Sequence, residues 1–248
     1  MSLRAKRALL AVAVATGVLL TWALLWDRTD WLASPAAVWE QLVATLEEPS
    51  TYADLLATSR RLFFGLLIGY GGAVLVSLLV RQSRWWKMFV GPYVLVLLAT
   101  PSIALALISL MVFGLSDLGV YLAVAGVVFP LIVISLLEGL ENLDRGLSDM
   151  TIVYRFSGYD RSRHQALPEM APYLFAAFRN VHALAWKLVV TAELFSTQDG
   201  VGFQYKRAFA FFETDRLIVW SIFFVTMVMI VEYGLLRPFE RVVFRWRA

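Results

Sequence analysis

The chain is expected to be an all-α, polytopic membrane bundle of six transmembrane helices, and two observations carry that expectation. First, six apolar stretches long enough to cross a bilayer follow one another between Ala8 and Leu236. About 20 apolar helical residues match the hydrocarbon thickness of a membrane. Second, 60% of the residues are hydrophobic and 17% charged, with a mean hydropathy of +0.69, far from the values of a water-soluble domain.

The stretches run Ala8–Trp26, Leu62–Val80, Met88–Phe113, Val120–Leu137, Ala171–Phe195 and Leu217–Leu236, and the first four hold no Asp, Glu, Lys, Arg or His. The first follows Arg4, Lys6 and Arg7 but lacks a small-residue cleavage pattern and ends on Trp22 and Trp26. It is therefore taken as a retained span rather than a signal peptide. The second carries Gly65 and Gly69, a small-xxx-small pair suited to close helix packing. Pro101 interrupts the third, within Ala99-Thr100-Pro101-Ser102, where it removes a backbone donor and kinks the helix. Such a kink suits either a solute path lined by Thr100, Pro101 and Ser102 or plain architecture.

The fifth stretch departs from the rule, with Arg179, His182, Lys187 and Glu193. On a helical wheel Arg179, His182, Trp186 and Glu193 share an arc of roughly 60°, with Lys187 about 80° to the side. Charge at membrane depth is costly unless paired or turned to protein or water. Two readings stand here. His182, Trp186, Lys187 and Glu193 line a solute pathway, or they belong to a packing-face network in which Glu193 and Lys187 neutralise the helix bundle, with charges near the ends snorkelling to the interface. Two histidines in the whole chain make a metal site improbable, and no metal or other cofactor is expected.

Between the spans, Ser34–Pro49 places Trp39, Leu42, Val43 and Leu46 at helical spacing, a stripe suited to the bilayer surface. The segment Glu138–Met170 is the longest loop, rich in charge, and suits a docking surface. With the N-terminus in the cytoplasm, 14 of the 22 Lys and Arg fall inside, six outside and two in the fifth span. The positive-inside rule thus puts both termini and the long loop in the cytoplasm. The net charge of +3 is anchoring chemistry at an anionic leaflet and implies no nucleic acid.

No catalytic motif appears. G-x-x-x-x-G-K-[ST], H-E-x-x-H and G-x-S-x-G are absent, and no span holds paired carboxylates, so no enzymatic site of its own is expected. Nor is there any cysteine. A single membrane domain over residues 1–248 leaves no room for a soluble catalytic domain.

Several stretches, taken in order, are recognisable. They are Ser34-Pro35-Ala36-Ala37-Val38-Trp39, Ser59-Arg60-Arg61 through Gly65, Thr100-Pro101-Ser102-Ile103-Ala104-Leu105, Gly200-Val201-Gly202-Phe203, and Phe212-Glu213-Thr214-Asp215. With the basic tail at Glu240-Arg241 and Arg245-Trp246-Arg247, they resemble permease subunits of bacterial ABC importers of the nitrate/sulfonate/taurine type. The resemblance implies a type I importer permease in the bacterial inner membrane. A second permease copy, a dimer of cytoplasmic ABC ATPases and an external solute-binding protein would complete it, with a homodimer of permeases favoured. It also implies a coupling helix built from the E-A-A, glycine, Leu-Pro loop. Here Gly158 and Leu167-Pro168 are the counterparts, with Arg155 and Arg161 beside them. The E-A-A positions instead read Ile152-Val153-Tyr154, and the interval from Gly158 to Leu167-Pro168 is three residues shorter than usual, nearly one turn. The solutes implied are sulfonates, nitrate, taurine or vitamin precursors. Two rival classes are an ion-coupled secondary carrier using the fifth-span charges and a scaffold that transports nothing.

Overall fold

The computed structural model describes residues 32–238 and 240, and within the first apolar stretch only residues 16, 17, 21, 22 and 26. The first expected span and the basic tail beyond position 240 therefore lie outside the described residues. Every regular element described is a helix. In chain order they are α1 (Pro35–Glu47), α2 (Pro49–Gln82), α3 (Arg84–Ala99), α4 (Ser102–Phe113) and α5 (Asp117–Glu141). Then follow α6 (Arg145–Val153), α7 (Gly158–Arg161), α8 (Leu167–Ser196), α9 (Val201–Ala210) and α10 (Thr214–Val231). Two π-helical turns, Ser162–Ala166 and Glu232–Leu236, precede α8 and follow α10.

Local chemistry sets the boundaries. Pro35 and Pro49 open α1 and α2 at positions where a missing N–H costs nothing, and the Ser34 hydroxyl accepts from Ala37 N at 3.1 Å. Ser116 caps α5 in the same way, accepting from Gly119 N. At the other end of α4, Gly114 takes the positive φ of 67° that terminates it.

Three of these helices are long and apolar enough to cross a membrane, at Pro49–Val80, Asp117–Glu141 and Thr214–Leu236. Trp85–Ala99 and Ser102–Phe113 together would make a fourth, but they meet at 100°. The kink expected within one third span is in fact a break into two helices. Thr100 and Pro101 both adopt extended ψ values, 125° and 134°, because a proline pushes the residue before it out of the helical region. Among the described residues six crossings are thus not counted. The helix α8 is 30 residues and about 45 Å long, but its charges keep it off an apolar count.

The core sits where α5 runs between α2 and α8. Val120, Val124, Val128, Ile132 and Val133 of α5 meet Leu62, Leu66 and Ala73 of α2 and Val181, Ala185 and Val189 of α8, all buried. The glycine pair of α2 permits this approach. A Cβ on Gly65 would lie 2.8 Å from Val124 Cβ, and one on Gly69 would lie 2.4 Å from Val128 Cγ2. The helix α4 packs on α5 and α8, and α1 on α10. The stripe expected on α1 is present. Val38 and Thr45 are buried while Trp39, Val43 and Leu46 stay exposed.

Candidate functional site

At one end of the bundle, α2, α5, α8 and the 197–204 segment converge on Arg61. Its guanidinium donates to Asp117 Oδ1 at 2.7 Å, to Glu193 Oε1 at 2.9 Å, to the Asp199 carbonyl at 3.0 Å and to the Asp199 carboxylate. The Arg61 side chain is 3% exposed and that of Glu193 0%. Glu193 Oε2 in turn accepts from Thr58 Oγ1 and from Gly202 N, each at 2.9 Å. A buried charge survives only when paired and fully hydrogen-bonded, and both conditions hold here.

The same cluster holds down the start of α9. Asp54 accepts from Gly200 N at 2.7 Å and from Gln204 Nε2 at 2.6 Å, while Thr58 Oγ1 accepts from Val201 N at 2.9 Å. The first amides of α9, which lack helical acceptors, are met by side chains of α2 and α8. Gly200 adopts φ 95°, and a Cβ on Gly202 would lie 2.4 Å from the Val190 carbonyl oxygen. Both positions require glycine. Arg60 points outward and pairs with Asp117.

The polar residues expected in the fifth span separate. His182 and Trp186 are buried and bonded to each other, with Trp186 Nε1 donating to His182 Nε2 at 2.9 Å. His182 stacks on Phe178, and the edge of Trp186 meets Phe224. Glu193 is neutralised by Arg61 within a packed network of the bundle, and Lys187 takes no part in that network. Lys187 and Glu193 are six positions apart, about 100° per residue turns them to different faces, and Lys187 is exposed. Arg179, near the middle of α8, pairs with Glu232 and Glu240. Thr100, Pro101 and Ser102 lie together at the break between α3 and α4; Pro101 and Ser102 are exposed and the Thr100 hydroxyl is spent on Val96 O at 2.7 Å.

The expected coupling segment lies at the end opposite Arg61. Arg155 takes a left-handed φ of 51° in the turn between α6 and α7. Gly158 opens α7 with open space around it, and Arg161 closes it. Leu167-Pro168 makes no corner. The chain stays helical from Gly158 through the π turn into α8, and Pro168, which has no backbone N–H to offer the preceding turn, sits just after that π turn. Asp144 ties this segment to α6, its N–H donating to Glu169 Oε2 at 2.9 Å while its carboxylate accepts from Gly146 N.

Residues 61–237 match the family of inner membrane components of binding-protein-dependent transport systems. The chain belongs to that family. It is 27% identical to the aliphatic sulfonates transport permease SsuC of Escherichia coli (strain K12), over 97% of this chain and 94% of that protein. Over 60% of this chain and 54% of the other it is 26% identical to the nitrate import permease NrtB of Synechococcus elongatus. A crystal structure of an amino acid ABC transporter has the same fold, with a TM-score of 0.52 and 19% identity over 78% of this chain and 94% of that one. The chain is accordingly an ABC transporter permease, a multi-pass membrane protein of the sulfonate/nitrate branch.

The Arg61 cluster was missed in the sequence. Ser59-Arg60-Arg61 was visible as a motif, but nothing local joins Arg61 to Glu193, 132 positions away. A usable signal existed: a lone Glu in the fifth span needs a buried cation, and Arg61 lies at the edge of the glycine-rich second span.

Proposed function

We propose that this permease forms half of the solute pathway of an importer and is driven by separate cytoplasmic ATPases through the segment 145–168. The observation that carries this is helical continuity. From Gly158 to Ser196 the chain is helical without interruption, and the far end of this rod carries Glu193. A push on Gly158–Arg161 is passed along this helical run, through the π turn and past Pro172, toward the Arg61 cluster. The loop end exposes Val153, Tyr154, Phe156 and Tyr159, apolar surface of the kind a partner covers. The basic residues favour a cytoplasmic position for this loop and both termini. The α9 end would then face an external solute-binding protein. A homodimer of permeases on two ATPases is the assembly we favour. Sulfonate and nitrate, the solutes in the names of the two relatives described above, are both small oxyanions, and of the solutes named among the relatives, which include riboflavin, we assign that class here.

Gly158→Trp, at a position where an added Cβ meets nothing within 4 Å, tests the coupling. The variant is expected to insert and fold normally, while solute-stimulated ATPase activity of the reconstituted complex is lost. Wild-type stimulation in that variant overturns the assignment.

A further inference from the structure

The outward faces of the long helices differ in kind. On α2 the exposed side chains include Phe63, Leu67, Ile68, Leu75 and Leu78, and on α10 Ile222, Val225, Met229 and Ile230. These are faces for lipid or apolar protein. On α8 the exposed positions between 170 and 195 are Ala176, Asn180, Ala183, Leu184 and Lys187, and Thr191 continues the row half-buried. Spacings of four, three and four residues put them within an arc of about 100°, one stripe about 23 Å long. Small and polar side chains dominate it, and Leu184 is its one large apolar member.

Lys187 sits in the middle of that stripe. It lies nine residues before Ser196, about 14 Å from the end of α8, too deep to be called a terminal residue. Among the described residues its ammonium has no ion pair and no hydrogen-bond acceptor. All the carboxylates near the end of α8 are taken. Glu193, Asp117 and Asp199 bind Arg61, and Asp54 binds Gly200 and Gln204. An unpaired ammonium at membrane depth is tolerated where it meets water or a diffusible anion, and strongly disfavoured against lipid. The neighbouring Thr191 hydroxyl donates to the Lys187 carbonyl at 2.8 Å, so it lies one turn along with an oxygen free to accept from water or solute.

We infer that the Asn180–Ala183–Lys187–Thr191 stripe of α8 is the water-lined wall of the pathway, and that Lys187 is its anion-selecting residue. His182, Trp186 and Glu193 serve instead as the packed back of the same helix. A single fixed cation on a low-dielectric wall raises the local concentration of small anions and repels cations. Neutral Asn and Thr beside it offer hydrogen bonds to oxyanion and water without competing charge. The inference rests on the chain forming a solute pathway, and it adds which face lines it and which residue chooses the charge.

The test uses the absence of cysteine from the chain, which makes any introduced thiol the sole one. Asn180→Cys, Lys187→Cys, Thr191→Cys and the control Leu75→Cys are prepared in the full complex in membrane vesicles. Each is treated with an anionic sulfonatoethyl or a cationic trimethylammonioethyl thiosulfonate, both confined to water. The three stripe variants react and Leu75→Cys does not. At Thr191→Cys the anionic reagent is favoured while Lys187 is present, and the anion-to-cation rate ratio falls roughly five- to tenfold when Lys187→Gln is added. Lys187→Arg keeps the ratio. Silence at all three stripe positions overturns the wall, and a ratio indifferent to Lys187→Gln overturns the selecting role. No ATP and no transported solute enter this measurement. Failure of the Gly158 experiment with normal labelling would therefore strike the coupling scheme alone.

Discussion

The two ends of this molecule solve opposite problems. At the Arg61 end, one guanidinium, the carboxylates of Asp54, Asp117, Glu193 and Asp199, one threonine and the amides of Gly200, Val201 and Gly202 satisfy one another. At the loop end, α6 and α7 are short, and Val153, Tyr154 and Tyr159 are each more than two-thirds exposed. The first end is complete without a partner. The second is held to the bundle by a few contacts around Asp144, and its apolar surface has nothing over it among the described residues. The contrast separates a base whose buried ion pair and helix-start amides are hydrogen-bonded within the chain from a surface built to be covered.

The largest expected effect breaks the Arg61 end. Arg61→Met leaves Glu193 buried with no cation and is expected to cost about 3–5 kcal/mol. Thermal unfolding in detergent measures it, and the double variant Arg61→Met with Glu193→Gln should recover part of the loss. A single variant as stable as the parent would show that the buried pair is not what secures this end. A smaller loss is expected for Gly202→Ala, whose Cβ would lie 2.4 Å from Val190 O and 2.5 Å from Glu193 Cβ. Backbone must shift there, at about 1–3 kcal/mol, again measured as a lowered unfolding midpoint. An unchanged midpoint would mean α9 is not fixed on α8 as described. The smallest effect on stability sharpens the other side of the comparison. Val153→Ser with Tyr154→Ser should change the unfolding free energy by less than about 0.5 kcal/mol, yet abolish co-purification with the ATPase. Marked destabilisation with retained co-purification would reverse the contrast between the two ends.

Much of the fold was legible because hydropathy and backbone chemistry are local. Four of the expected apolar stretches coincide with helices, and Pro101 stands at the break, although the bend is a full separation rather than a kink. Gly65 and Gly69 stand where α5 crosses α2, as small residues at that spacing suggest. The candidate site was legible only in its inventory. The wheel grouped His182, Trp186 and Glu193 correctly on one face of α8, but which face meets protein depends on where α5 and α2 lie.

The sequence by itself determined the helical membrane class, the positions of most helices, a disturbance of the helix at Pro101 and the family, through signals that run over consecutive residues or a few turns. Tertiary structure alone decided that Arg61 and Glu193 neutralise each other across 132 positions, and that Lys187 stands apart from both. The physical reason is that charge in an apolar bundle is governed by which partner lies within a few ångströms, and sequence distance carries no information about that.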